Sequence, residues 1–435
     1  MLRELPRSSI LWLTRIFNAI LRLRSFPSTW KHARMIMLPK PGKNPSKLQS
    51  YRLISLLTIL SKVFEKLLHR KLLTLLPVSA LPEHQFGFRN KHSTVDQLQR
   101  VSSTILTSLE HKEFCAAAFL DVKQAFYKVW HDGLFYKLSR LLPSNVCDLL
   151  ASYLTNRSFF VVYGNYISST RPITAGIPQG SVLGPLLYTL FTADLPELPS
   201  ATTATFADDT ALLASSPNYH TAVADFQSAL TTVHNWTSRW KIHLNSDKSV
   251  NTTFTLRPHP HQPVLLDQTV IPYKPTVKYL GIHLDERLTY AHHIRTKRRE
   301  LDLRFRRLSW LLASKSPLSL ANRRLLYMVV LRPVWMYTIP VWGCACNSLR
   351  LIIQRFQNKA LRAIAGTPWY VRNDTLHADL RIPTVVETIT ALSQRHEKRL
   401  NHHPNMLALT LLDNSTTLRR LSQRHCADLV VSSSS

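Results

Sequence analysis

The stretch Ala116-Ala117-Ala118-Phe119-Leu120-Asp121-Val122 limits the fold more than any other. Apart from its carboxylate it is wholly apolar, with no alternation of polar and apolar positions. A strand of that kind is covered on both faces, so it belongs in the middle of a sheet. Burying an unpaired carboxylate costs several kcal/mol or more. Asp121 therefore stands at the strand's open end, or meets a cation there. A second acidic feature lies in Thr205-Phe206-Ala207-Asp208-Asp209-Thr210-Ala211-Leu212-Leu213, where two short apolar strands flank a pair of carboxylates. The pattern is that of a β-hairpin with Asp-Asp at its turn. Acids are scarce in this chain, 26 Asp and Glu against 55 Lys and Arg, so their placement is informative. Taken alone the pair suits a solvated turn, or a site for a hard divalent cation such as Mg²⁺.

The formal charge of +29 calls for a polyanionic partner, nucleic acid first and an anionic membrane surface second. An apolar fraction of 45% over 435 residues gives a globular protein of two or three domains. The five cysteines are few and odd in number, and Cys344 and Cys346 are too close for a usual zinc knuckle. They read as reduced thiols of a nuclear or cytoplasmic protein. No apolar run reaches about 18 residues, so no membrane span is expected. Residues 1–25 are basic and interrupted by Arg15, Asn18 and Arg22, a poor signal peptide. Ile10, Leu13, Phe17, Ile20 and Leu21 mark one face of an amphipathic helix. A mitochondrial presequence looks similar, but docking on the body of the protein is the preferred reading.

Along the chain, Arg34–Pro39 reads as a short strand, Lys40–Pro45 as a turn-rich basic loop, and the segment Tyr51–Leu57 comes next. A helix follows with Leu60, Val63, Phe64, Leu67 and Leu68 on one face. A second begins at Ser93, an N-cap, with Val95, Leu98, Val101, Ile105 and Leu109 inward. Ala125–Leu142 reads as helix, and Phe159–Tyr163 and Tyr166–Arg171 as a strand pair around Gly164-Asn165. The loop Thr174–Ser181 opens an apolar helix, Val182–Ala193. Ala222, Phe226, Leu230, Val233 and Thr237 keep a helical period. Lys241–Ser249 returns to strand and turn, Arg257–Pro275 is proline-rich, and Tyr279–Asp285 is a short strand. From Thr289 to Ala365 helices dominate. There Arg295, Lys297, Arg298, Arg299, Arg304, Arg306 and Arg307 form either a solvated face or a surface that tracks a nucleic-acid backbone. The tail beyond Asn401, with its run of serines, is expected to be loose.

The order of these features resembles the reverse transcriptases of non-LTR (LINE-type) retrotransposons, in particular the Jockey group. The words that carry the resemblance are Leu38-Pro39-Lys40-Pro41-Gly42-Lys43, Tyr51-Arg52-Leu53-Ile54-Ser55, Gln85-Phe86-Gly87-Phe88-Arg89, Phe119-Leu120-Asp121-Val122-Lys123-Gln124-Ala125-Phe126, Ala175-Gly176-Ile177-Pro178-Gln179-Gly180-Ser181, Phe206-Ala207-Asp208-Asp209 and Tyr279-Leu280-Gly281. They are collinear over about residues 30–290. Gln357–Arg362 and Pro368-Trp369-Tyr370 resemble the helical region that follows in that group. The resemblance implies an α+β right-hand polymerase: fingers, a palm with an antiparallel sheet, and a helical thumb. The expected boundaries are a helical extension at 1–34, fingers with part of the palm at 35–118, the palm at 119–285, a basic helical thumb with further helices at 286–400, and a flexible tail at 401–435. The implied activity is RNA-directed DNA polymerisation, with an RNA template, a DNA primer or target and dNTPs as partners.

The resemblance also implies roles for particular residues. Asp121 and Asp208 would be the shared ligands of two Mg²⁺ ions, with Mn²⁺ as an alternative, and Asp209 a supporting carboxylate whose part depends on how the turn is bent. Arg52, and more weakly Lys40, would take the triphosphate, although Arg52 could equally make a surface ion pair. Phe126 resembles the aromatic gate against a ribose 2′-hydroxyl, or is an ordinary core aromatic. Gln179 and Gly180 would position template and nucleotide, or simply start a helix. Lys248 would act as general acid to the pyrophosphate or contact phosphate. Tyr279, Leu280 and Gly281 resemble a primer grip, though a core strand reads the same.

The sequence departs from the group's pattern in two residues. Tyr127 stands where the group has Asp, and Leu53 where it has Pro. The resemblance also starts just before the fingers, so the endonuclease domain and zinc knuckle of the group are expected to be missing and the chain to copy but not nick. Two rivals follow: an inactive nucleic-acid-binding remnant, and a template-independent or DNA-copying nucleotidyltransferase on the same palm.

Overall fold

The computed structural model describes residues 4–40, 42–47, 50–412, 420–421 and 428–431. The chain divides into two compact units. One comprises Met1–Phe88, Val122–Pro196 and Thr232–Asn245, and the other Arg89–Asp121, Glu197–Thr231 and Ser246–Ser435.

The first unit is built on a sheet in which His32–Pro39 pairs antiparallel with Tyr51–Leu56 and parallel with Arg157–Tyr163. Tyr166–Ile167 and Arg171–Ile173 close its far side. Its core gathers Phe17, Phe26, Phe64, Leu68, Leu72, Tyr153 and Leu187. The N-terminal helix, Arg7–Leu23, docks through Phe17 and Ile20, with Phe17 on Phe64 at 5.4 Å. Ile10 and Leu21, expected on that face, are instead 49% and 48% exposed, because the covered stripe is narrower than the apolar one. In the helix Ile59–Leu75, Phe64 and Leu68 are buried as expected, whereas Leu60 and Leu67 face solvent.

The helix Gly184–Phe191 is gripped at both ends. Glu65 Oε2 accepts from Val182 N at 2.7 Å and Leu183 N at 3.3 Å, and Lys137 Nζ donates to Phe191 O at 2.5 Å. A carboxylate at the N-terminus and an ammonium at the C-terminus both match the helix dipole. Burial pulls the Lys137 ammonium down to about 8 against the opposing pull of Asp194. The helix expected over Ala125–Leu142 begins only at His131 and runs to Ser139. Upstream, Phe126 O accepts from Ile177 N at 2.7 Å and Val129 O from Gly176 N at 2.9 Å. Those carbonyls are spent on the neighbouring loop, so no i→i+4 ladder can form.

The second unit holds an antiparallel sheet in the order Thr202–Phe206, Asp209–Ser216, Phe114–Leu120, Val250–Phe254. Phe114–Leu120 is buried along its whole length, between Asp209–Ser216 and Val250–Phe254, as its composition requires. The helix Thr94–Glu110 starts in a reciprocal capping box of Ser93 and Asp96, and buries Leu98, Val101, Ile105 and Leu109. Val250–Phe254 is a strand that the sequence pattern hides, and Lys241–Ser249, expected as strand and turn, is mostly turn with one bridge at Leu244. The stretch Tyr279–Asp285 is not one strand but a hairpin arm and turn. Thr276–Tyr279 pairs with Ile282–Asp285, and Leu280 (φ +42°) and Gly281 (φ +84°) form the two-residue turn. Helices Ala291–Leu312 and Asn347–Ala365 pack together, with Phe305 on Phe356 at 6.1 Å. Beyond Asn401, Met406–Leu409 is helical, and the Arg420 and Leu421 N–H groups donate to Glu110 at 2.7 and 2.9 Å. The terminal serines, Pro41 of the basic loop and Cys426 lie outside the described residues. Among the described residues four cysteines are free thiols, and no helix is long and apolar enough to cross a membrane.

Candidate active site

In the second unit, the register Phe206↔Asp209 leaves Ala207 and Asp208 as the hairpin turn. Ala207 takes φ +59°, a left-handed conformation costly for a residue with a Cβ. Asp208 thus sits in the turn, while Asp209 opens the second strand. The neighbouring ladder ends at Leu120↔Thr210, and one step further along it Asp121 comes level with Asp209. The three carboxylates feel one another. Burial pushes Asp209 up to about 6, and the charges of Asp208 and Asp121 push the same way. Asp208 is raised too, by burial first and then by Asp121, against a hydrogen bond from its own backbone. Because Asp209 is exposed by surface area, the like charges are the firmer part of its shift.

Among the described residues neither Asp208 nor Asp209 has an ion-pair partner. Lys248 Nζ lies 3.6 Å from Asp121 Oδ2, and Asp121 N donates to Ser249 Oγ at 3.1 Å. An all-oxygen set of crowded carboxylates in a chain this basic has the donor chemistry of a hard divalent cation. Among the described residues no three Asp, Glu, His or Cys side chains converge into a closed ligand set. Mg²⁺ needs only one or two protein carboxylates when substrate phosphates supply further oxygens, so the residues fit such an ion.

The Tyr279-Leu280-Gly281 segment adjoins this sheet. The Tyr279 ring packs on Phe119 at 5.0 Å, and its hydroxyl donates to Ala204 O at 3.5 Å. The turn is held from outside: Tyr337 OH donates to Leu280 O at 2.8 Å, and a Cβ on Gly281 would come within 2.9 Å of the Tyr337 ring.

In the first unit, Lys40 follows the His32–Pro39 strand, and Arg52 lies across from Leu38. Arg52 is exposed and makes no ion pair among the described residues. The Pro178-Gln179-Gly180-Ser181 loop is pinned to the same strand. Ser55 N donates to Gln179 O at 2.8 Å, and Gly180 takes φ +112° where a Cβ would come within 2.7 Å of Ser55 O. Only glycine allows both. Ser181 Oγ donates to Pro178 O at 2.8 Å and accepts from Gly184 N at 3.0 Å. Phe126 is half-buried, stacked on Tyr188 at 4.9 Å and edge-on to Phe88 at 5.8 Å.

Tyr127 and Leu53, the two departures from the Jockey pattern, meet at Gln179. The Tyr127 hydroxyl lies in hydrogen-bond contact with Leu53 O and with Gln179 Oε1. One proton cannot serve two oxygens. Turning the Gln179 amide over, so that Nε2 donates to the hydroxyl while the hydroxyl donates to Leu53 O, satisfies all three groups. Burial pushes the Tyr127 phenol up to about 12, so it remains a neutral donor. Three supports escaped the sequence reading: this tyrosine bond, the Tyr337 contact and Glu65. Glu65 alone left a signal, an acid on an apolar helix face in an acid-poor chain.

The profile of the family described as "Reverse transcriptase (RNA-dependent DNA polymerase)" matches residues 38–284. The probable RNA-directed DNA polymerase from transposon X-element of Drosophila melanogaster is 43% identical over 99% of this chain and 48% of its own length. The RNA-directed DNA polymerase from mobile element jockey of the same species is 39% identical over 98% of this chain and 48% of its own. The chain thus spans about half the length of the curated relatives it matches, and the Jockey resemblance is borne out. A telomerase from Candida tropicalis, solved with a fragment of telomeric RNA, overlaps 94% of this chain and 68% of its own. At 12% identity and a TM-score of 0.42 that likeness carries no weight. The expected fold class, an α+β right-hand polymerase, stands on the family match. The chain belongs to the reverse transcriptase family, the RNA-dependent DNA polymerases.

Proposed function

We propose that this chain carries the RNA-directed DNA polymerase activity of a non-LTR retrotransposon, adding dNTPs to a primer 3′-hydroxyl on an RNA template. The observation that carries the reading is the mutual crowding of Asp121, Asp208 and Asp209 at the ends of adjoining strands. Mg²⁺ held there by Asp121 and Asp208 would supply Lewis acidity to the attacking hydroxyl and charge neutralisation to the leaving pyrophosphate.

The chain's own residues do the rest. Asp209 adds negative charge beside the two ligands. Lys248, paired with Asp121, brings an ammonium to the phosphate side as contact or proton donor. Arg52, which makes no ion pair among the described residues, and Lys40 near it on the same hairpin offer positive charge for the triphosphate. Gln179 presents its amide to the nucleotide, Gly180 lets the backbone approach closely, and Phe126 offers the ring edge that excludes a 2′-hydroxyl. Tyr279, Leu280 and Gly281 form a braced turn suited to a primer strand.

The Tyr127 bond to Gln179 supports the loop, so this departure from the pattern does not favour an inactive remnant. Primer extension tests the reading. Incorporation that requires an RNA template and prefers dNTPs is expected. Tight RNA binding without incorporation refutes the activity, and extension on DNA alone or without template assigns a different nucleotidyltransferase.

A further inference from the structure

The segment Thr367–Arg372 contains Pro368-Trp369-Tyr370, which the sequence singled out and the polymerase reading leaves unused. It presents Trp369 and Tyr370 almost wholly to water, at 86% and 70% exposure. Each forgoes the burial free energy that an aromatic ordinarily gains. The exposure is not that of a loose loop. The helix Asn347–Ala365 ends on Gly366 in the left-handed region, with Gly366 N donating to Arg362 O at 2.9 Å. The Arg362 side chain then fastens the segment from beneath, donating to Pro368 O, to Val371 O at 2.9 Å and to Asn373 Oδ1 at 2.9 Å. A Cβ at Gly366 would come within 2.4 Å of Ser314, so the segment's base is closely packed as well.

The electrostatics select the occupant. All three acceptors of Arg362 are neutral, and among the described residues it has no ion-pair partner. Lys359 and Arg355, both exposed, lie one and two turns back on the same helix face. Arg372 is exposed at the segment's end, in a solvent-screened pair with Asp374 at 3.5 Å. The two rings are 6.0 Å apart and inclined at 79°, which leaves each with an open face of its own. Exposed π-faces above a basic stripe match nucleobases attached to a phosphate backbone, and only unpaired bases have free faces to stack. A lipid surface would favour a continuous apolar face rather than two crossed rings on a braced turn.

We propose that Trp369 and Tyr370, fastened by Arg362, form a stacking platform for an unpaired stretch of nucleic acid, with Arg355 and Lys359 taking its phosphates. The claim concerns binding alone, so it stands or falls independently of nucleotide addition. The test measures affinity of the 435-residue chain for a labelled unstructured RNA oligonucleotide, its DNA counterpart and the matching duplex, over a salt series. Trp369→Ala with Tyr370→Ala should weaken unpaired-strand binding about tenfold or more. The slope of log K against log salt should stay the same, because no phosphate contact is lost. Arg355→Gln with Lys359→Gln should instead flatten that slope by about 0.7 per charge removed. Trp369→Phe with Tyr370→Phe should retain most of the affinity and show that the fold is intact. RNA and DNA losses of equal size assign the platform to bases in general, and a loss on one alone assigns it to that strand. Unchanged affinity of the double alanine variant overturns the proposal. So does an equal loss on the duplex.

Discussion

Removing one oxygen atom, by Tyr127→Phe, probes how the Gln179 loop is held. The ring stays, so packing beneath it is kept, while the hydroxyl between Leu53 O and Gln179 is lost. Each bond contributes about 0.5–1.5 kcal/mol net, so the pair is worth about 1–3 kcal/mol. Part of that appears as lost stability. The rest appears as freedom of the Gln179 side chain, whose fixing costs up to about 2 kcal/mol of rotamer entropy. If half reaches nucleotide binding, about 0.5–1.5 kcal/mol raises KM for dNTP about two- to twelvefold. Single-nucleotide primer extension over a dNTP series measures it, with kcat expected to change less than KM. A lowered melting temperature with unchanged KM would refute the link and leave Tyr127 a structural strut. Tyr127→Asp, which restores the group's usual residue, is expected to lower activity, because the shorter side chain cannot reach Leu53 O and Gln179 and leaves both without the phenol.

Two further predictions concern carboxylates. Asp209 has a folded-state value near 6 against an ordinary 3.8, so between about pH 4 and 6 the folded chain binds more protons than the unfolded one. Its contribution to stability is therefore fully present at low pH and lost as pH rises through 6. In EDTA, Asp209→Asn should melt higher than the parent at pH 7.5, with the gap closing towards pH 4 and shrinking at pH 7.5 when Mg²⁺ is added. A gap independent of pH would contradict the crowding of the three acids. Glu65→Gln would point an amide N–H₂ or a weaker carbonyl at the Val182 and Leu183 N–H groups, and should cost about 1.5–3 kcal/mol of stability by chemical denaturation. An unchanged midpoint would show that Glu65 does not hold that helix.

Much of the second unit's sheet was legible because its signals are local. An unbroken apolar run that ends in a carboxylate reads as a covered strand, and the alternation around Asp208-Asp209 reads as a hairpin. Val250–Phe254 was not legible, because its Asn and Thr residues look polar. They are buried through partners far along the chain, as when Asn251 Nδ2 donates to Ile271 O at 2.7 Å. The helix expected from Ala125 failed for the same reason, its carbonyls being taken by a loop about fifty residues on. The turn at Leu280-Gly281 was hidden by a leucine in the left-handed region, held there by Tyr337. At the site, the sequence separated Asp208, a ligand candidate, from Asp209, whose part depended on how the turn is bent. The structure divides them by register instead, with one residue in the turn and the next heading the strand. Tyr127 looked like damage because a family word was broken; its bond to the other altered position is a three-dimensional fact with no trace in either residue alone.

The central claim is that Asp208 serves phosphoryl transfer with a divalent cation. Mg²⁺-dependent primer extension on an RNA template by the parent and by Asp208→Asn tests it most directly, with melting temperature and RNA affinity measured on both. Asparagine keeps the shape of the turn and removes the charge. The account predicts extension by the parent that EDTA abolishes, and a loss of about 10³-fold or more in Asp208→Asn with fold and RNA binding retained. Equal extension by the two proteins would contradict it.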